Sequence, residues 1–140
     1  MPDIFDKIIA GDVPSFKIYE DDDALAFLDL SQITPGHTLL IPKNDVTDIF
    51  DYDDETAAKV LSKLPIIARA IRASNPDIIG INIFSNNGTG AGQVVPHSHF
   101  HIVPRYKDDD FNITEFSNAD LYDTDKYQTI ADSIIEKLED

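Results

Sequence analysis

The chain has 140 residues, room for one compact domain, and at 42% hydrophobic it holds enough apolar material for a real core. Twenty-six Asp and Glu against 11 Lys and Arg leave a net charge of -15, which argues against a nucleic-acid polymer or an anionic membrane as partner but leaves room for a small phosphorylated ligand held by amides and imidazoles. With no cysteine, disulfides, thiolate metal sites and thiol nucleophiles are excluded.

The opening, MPDIFDKIIAGD, has neither a basic leader region nor a long apolar run, and no stretch reaches the roughly 18 apolar residues of a membrane span, so the expectation is a soluble, cytoplasmic domain. Ile4, Phe5, Ile8 and Ile9 share one face of a first helix that Gly11 and Pro14 stop. Phe16 to Glu20 reads as a strand, Asp21 to Asp23 as a turn, and Ala24 to Leu30 as a second strand with Leu25, Phe27 and Asp29 on one face. Pro35-Gly36 turns the chain into a third strand, His37 to Ile41, which Pro42 closes. Short connections between these three strands favour an antiparallel meander.

The longest helix is predicted over about 54 to 74, with Ala57, Val60, Leu61, Leu64, Ile67, Ala68 and Ile71 as its apolar stripe, a kink or break at Pro65, and an end at Asn75-Pro76. Ile78 to Phe84 alternates as a strand with Ile79, Ile81 and Ile83 on one face. The loop SNNGTGAGQ leads into a last strand, Val94 to Val103. Residues 104 to 126 have little periodicity, and Asp108 to Asp110 read as a solvated loop. A closing helix is expected to bury Tyr127, Ile130, Ala131, Ile134, Ile135 and Leu138. Strands in the middle with flanking helices make the class α+β, an antiparallel sheet flanked by helices in a single domain spanning 1 to 140.

Three of the four histidines stand at 97, 99 and 101. On a strand they share one face, neighbours roughly 6.6 Å apart, while Ser98, Phe100 and Ile102 turn to the other. Near neutral pH such imidazoles are mostly neutral, nucleophilic and able to pass protons. Exposed surface, a zinc site completed by a carboxylate, and phosphorus chemistry with a histidine nucleophile all remain open from the triplet alone. The preceding loop, with Gly88, Gly90 and Gly92, favours the last: glycines let successive N–H groups converge on an anion, and a phosphate beside a nucleophilic imidazole explains both features together.

The segment NNGTGAGQVVPHSHFHIVPR resembles the signature of the histidine triad (HIT) family, with Ser98 where an apolar residue is usual. The resemblance extends through DIFDKIIAGDVPSFKIYEDDDALAFLDLSQITPGHTLLIPK to the Hint-like branch, the purine nucleotide-binding hydrolases, and spans about residues 3 to 105. The variable C-terminal extension, about 104 to 140, falls outside it.

That resemblance implies His99 as the nucleophile toward the α-phosphorus of a nucleoside phosphoramidate, through a nucleotidyl-histidine that water hydrolyses. It implies His97 and His101 as orienting and proton-handling neighbours, with His37 as a fourth member of the relay. Asp29 matches the acceptor of the ribose hydroxyls. Ile4, Phe5, Ile8, Val13, Phe27 and Leu30 match the apolar wall around purine and ribose. Asn86 matches a side chain near ribose and phosphate, the amides of Gly92 and Val94 match phosphate donors, and Gln93 stands beside them. The family also implies a homodimer with one sheet continued across a two-fold axis, a purine mononucleotide of the AMP or GMP type as substrate, and no cofactor.

Two departures bear on chemistry. Where many bacterial relatives build a zinc site from a Cys-x-x-Cys and a histidine, this chain has Asp3, Asp6 and Asp45, so tight zinc binding and any site metal are not expected. Val94 stands where a serine is frequent, which removes a hydroxyl and keeps the amide. Within the fold the alternatives are a dinucleoside polyphosphate hydrolase or a nucleotidyltransferase, and His101 speaks against the uridylyltransferases, which usually carry Gln there. Outside it, a nucleotide-binding regulator with little activity or a metal-binding protein remains.

Overall fold

The computed structural model describes residues 2–113 and 117–139; residues 1, 114–116 and 140, the middle three of them in the expected C-terminal extension, lie outside the described residues. Helix α1 (Ile4–Ala10) is capped by Asp3, whose carboxylate accepts from the Asp6 amide while Asp6 returns the bond to the Asp3 amide. Gly11, at φ 84°, closes it in the left-handed conformation that glycine adopts without a steric cost. Strands β1 (Lys17–Glu20), β2 (Ala24–Leu28) and β3 (Thr38–Pro42) form the expected meander. Strands β4 (Gly80–Phe84) and β5 (Phe100–Arg105) complete one five-stranded antiparallel sheet in the order β1-β2-β3-β5-β4.

The alternation of β2 and β3 divides the core in two. Leu25, Phe27, Leu39 and Ile41 pack with Phe5 and Ile8 of α1 on one face. Ala24, Ala26 and Leu40 pack with Val60, Ile67, Ile71 and Ile102 on the other, where small residues on β2 leave room for the large ones above them. Those large residues come from α2 (Asp54–Val60) and α3 (Leu64–Ser74), which a tight 3-10 turn at Leu61–Lys63 separates. The break expected at Pro65 therefore falls just before it, at the carbonyl of residue 61 that a proline ring four residues on would strike, and Pro65 itself sits harmlessly in the first turn of α3.

Three expectations need correction. The last strand begins at Phe100, not Val94: Pro96 has no N–H for a ladder, and the amides of His97 and Ser98 donate instead to Val95 O and Val46 O. Helix α4 (Thr124–Ile135) has the predicted amphipathic spacing, yet none of its residues is buried, and Tyr127, Ile134, Ile135 and, just past it, Leu138 are exposed, because no element among the described residues covers that face. Asp109 is not solvated: its two oxygens accept from Nε and Nη2 of Arg105, and the guanidinium holds its carboxyl well below the usual carboxylate range. The same Arg105 reaches Asn82 Oδ1 and the Phe111 carbonyl and anchors the chain as it leaves the sheet. Among the described residues no helix is long and apolar enough to cross a membrane.

Candidate active site

The register of the sheet assembles the site. His101 pairs with Leu39 on β3 and with Phe84 on β4, so its ring emerges on the α1 face, stacked on Phe84 at 4.5 Å and 12°. A cleft of about 320 Å³ opens there between α1 and the ends of β2 and β5. Nine of the residues singled out from sequence line it together: Ile4, Phe5, Ile8, Val13, Phe27, Leu30, Asp29, His99 and His101. Pro14, Ser15, Leu28, Leu39 and Val95 line it as well and were not foreseen, since nothing but the folded chain distinguishes them from other small or apolar residues.

The histidine rings are fixed by groups whose hydrogen-bonding role admits one reading. His99 Nδ1 lies 2.8 Å from the His97 carbonyl, which can only accept, so Nδ1 carries the proton and, in the neutral ring, the lone pair is on Nε2. Nε2 has no partner among the described residues, and the ring lines the cleft, with Phe5 and His101 edge-on at 5.1 and 5.2 Å. His37 Nδ1 accepts from the Ile33 amide at 3.1 Å, so its proton is on Nε2 and is donated to His101 Nδ1 at 2.9 Å. That leaves the His101 proton on Nε2, the nitrogen with no partner among the described residues. Burial, followed by the neighbouring His99 and His37, pushes His101 down to about 4, and burial likewise lowers His37, so both rings are neutral near pH 7.

Asp29 sits at the mouth of this relay. Burial would raise its carboxyl, but bonds to Oδ1 from the Ser31 hydroxyl at 2.7 Å and amide at 2.8 Å, with His37 nearby, outweigh that and hold it below its ordinary value. It is therefore an ionised acceptor, with Oδ2 3.7 Å from His37 Nε2.

His97 stands apart. Its ring is fully buried outside the cleft, Nε2 donating to Pro42 O at 2.8 Å and Nδ1 facing Asp3 at 3.3 Å and Asp6 at 3.5 Å without a hydrogen bond. What orients the His99 ring is the main-chain carbonyl of His97, not its imidazole. Asp3, Asp6 and His97 offer three ligand atoms within 4.8 Å of one another, while Asp45 is exposed and outside that group. Two carboxylates and one imidazole, without a fourth donor among the described residues and without a thiolate, fall short of a closed structural zinc site. A second grouping, Asp29, His37 and His101, has both His37 nitrogens already engaged.

Of the glycine loop, none of Asn86, Gly92, Gln93 and Val94 lines the cleft, which the chain reaches next at Val95. Gln93 spends its side chain on the backbone, accepting from the Gly88 amide and donating to Thr47 O and Val95 O, so it shapes the loop and presents no free polar group. The Gly92 amide is taken by Thr89 O, whereas the amide of Val94, a residue 90% exposed, has no acceptor among the described residues. Asn86 lies against Gly92, close enough that a Cβ there would stand 3.7 Å from its Nδ2. Of the two expected phosphate amides, then, one is free and the other is already bonded within the loop.

Comparison with known proteins shows the family and the fold. A HIT domain family model matches residues 10–108. The chain is 49% identical over 136 residues to "Protein hit" of Bacillus subtilis, covering 96% of this chain and 93% of that protein. It is 39% identical over 102 residues, 73% of each chain, to an adenosine 5'-monophosphoramidase of Schizosaccharomyces pombe. The crystal structure of a HIT family member from B. subtilis superposes with a TM-score of 0.96 at 47% identity, covering 100% of this chain and 99% of that one.

Proposed function

The chain belongs to the HIT family, and we propose that within it the protein is a nucleotidyl hydrolase that cleaves purine nucleoside 5'-phosphoramidates through His99. The observation that carries this reading is the His99 ring, with its Nδ1 proton committed to the His97 carbonyl and its Nε2 left open in an apolar cleft beside His101. The adenosine 5'-monophosphoramidase among its relatives supports the substrate class.

In this reading the base lies against Ile4, Phe5, Ile8, Val13, Phe27 and Leu30, and the ribose hydroxyls meet Asp29. His99 Nε2 forms a bond to the α-phosphorus as the P–N bond breaks, its electron pair going to nitrogen. The departing nitrogen takes up one proton from solvent in the open cleft, with the His101 Nε2–H as hydrogen-bond donor beside the reacting group. Water then adds to phosphorus, the His99–P bond breaks, and a proton is released, so the two steps sum to hydrolysis. The free Val94 amide and the Asn86 side chain are the candidates to hold the phosphoryl oxygens.

The uncovered apolar surface favours a homodimer. Strand β4 is a sheet edge with its pairing side free among the described residues, and Ile83 on it and Ile79 just before it, like Ile66 on α3, are exposed in the single chain. Sedimentation is expected to give twice the chain mass.

The deciding experiment is turnover of adenosine 5'-phosphoramidate in the presence of a chelator, with acid-quenched mass spectrometry for a nucleotidyl adduct on the peptide holding His99. Metal-independent turnover with that adduct is expected. Nucleotide binding without turnover or adduct would replace this reading with a binding protein.

A further inference from the structure

The loop between β2 and β3 carries Asp29 at one end and His37 at the other, and between them stands Gln32, whose φ of 41° is the one left-handed value outside glycine among the described residues. A side chain with a Cβ is held there against its own preference only by surrounding bonds. Those bonds are present. Gln32 Nε2 donates to Asp29 O at 2.5 Å and to His37 O at 2.7 Å, and Gln32 Oε1 accepts from the Gly36 amide at 2.9 Å. Both carbonyls can only accept and the amide can only donate, so the carboxamide has one orientation that fits. The Gln32 amide adds a bond to Asp29 O at 3.2 Å. One side chain thus joins the beginning of the loop to its end.

The next residue, Ile33, points its N–H at His37 Nδ1, 3.1 Å away. Everything about the proton positions beyond that point follows from this one donor. With Nδ1 an acceptor, His37 donates through Nε2 to His101 Nδ1, and His101 keeps its proton on Nε2, open to the cleft. If Ile33 turned away, His37 could carry its proton on Nδ1 instead. Its Nε2 lone pair would then face His101, which would have to move its proton to Nδ1 to keep the contact, and the cleft would lose its donor.

We propose that Gln32 is a positioning residue: by stitching the loop shut it aims the Ile33 amide, and through it selects the tautomers of His37 and His101 so that the cleft receives an imidazole N–H beside His99. The consequence for turnover rests on the phosphoramidase reading; the tautomer assignment does not.

The test is nitrogen-15 NMR of the imidazole rings at pH 7 in the wild-type protein and in Gln32→Gly, which accepts the positive φ but has no carboxamide. Protons on Nε2 of both His37 and His101 are expected in the wild type, and a mixture of tautomers in Gln32→Gly. A wild-type spectrum with the His101 proton on Nδ1 overturns the proposal at once, as does an unchanged tautomer pattern in the variant. If Gln32→Gly does not melt cooperatively, Gln32→Glu carries the same test, because it keeps the acceptor for Gly36 and loses both donors. With the phosphoramidate as substrate, kcat is expected to fall about 10- to 100-fold in the folded variant with KM within a factor of about three. Mixed tautomers with unchanged kcat would overturn the functional half alone. A wild type that turns nothing over but shows the expected tautomers would sink the phosphoramidase reading and leave the role of Gln32 standing.

Discussion

The four histidines divide into two environments that their spacing does not distinguish. On the cleft side, His37, His99 and His101 each have one nitrogen tied to a partner that fixes its role: the Ile33 amide, the His97 carbonyl and His37 itself. Two of these rings line an open apolar cleft. Behind them His97 is buried and does not line that cleft, one nitrogen on Pro42 O and the other between Asp3 and Asp6. The comparison teaches that position along the chain brings imidazoles together, whereas the partner of the second nitrogen decides whether a ring presents a lone pair, a proton or nothing to a substrate.

The sharpest way to break that division is to remove one ring from each side. His99→Ala is expected to lower turnover by about 10⁴-fold or more, since no other free imidazole lone pair faces the cleft, while nucleotide binding measured by calorimetry persists. His101→Ala comes next, with a loss of about 10²- to 10⁴-fold in kcat from the missing donor beside the reacting phosphorus. His97→Ala keeps the carbonyl that holds the His99 proton, so kcat is expected to stay within about tenfold of the wild type. Its cost falls on stability, about 1–3 kcal/mol in denaturant unfolding, because the Pro42 carbonyl loses its buried donor. A well-folded His97→Ala protein that turns nothing over would show that the buried imidazole takes part in chemistry after all.

How far the sequence foretold these environments depends on the range of the signal. Periodicity located the first four strands and the α-helices, with the last strand begun six residues too early, and Leu25 and Phe27 against Ala26 on β2 correctly separated the two core faces. The glycine loop and the triplet pointed to phosphorus chemistry at a histidine, and the resemblance led to His99, Asp29 and the apolar wall now found in one cleft. What stayed hidden depends on contacts distant in sequence. Nothing local says that Ser98 N will bond to Val46 O and draw residues 97 and 99 off the ladder, or that Asp109 will meet Arg105 and not water. Nor does the amphipathic spacing of α4 reveal whether its apolar side has a partner within the chain; among the described residues it has none. Gln32 carries no motif at all: its role lies in a backbone angle and three bonds that exist only once the loop is closed.

The smallest expected effect separates the two environments by acid. An unfolded histidine titrates near 6.5, whereas burial holds His101 at about 4 in the folded chain and His37 below its ordinary value. Between those limits the unfolded state binds more protons than the folded one. The stability these neutral rings contribute is therefore complete above about pH 6.5 and is lost as pH falls toward 4. Carboxylates lose stability in part of the same window, Asp29 among them, so the wild type alone does not isolate the imidazoles. His101→Gln does: its carboxamide oxygen can still accept from His37 Nε2–H, but the side chain cannot titrate. The decline in Tm between pH 7 and pH 4.5 is expected to be smaller in His101→Gln than in the wild type, by on the order of a few °C. His37, His99 and Asp29 face this position in both proteins, so the substitution removes one titrating ring and keeps its neighbours. Equal declines would mean that His101 is solvated like any surface imidazole. The cleft would then be too wet to hold a fixed N–H beside His99, and the distinction between the two environments would shrink to one of hydrogen-bond partners alone.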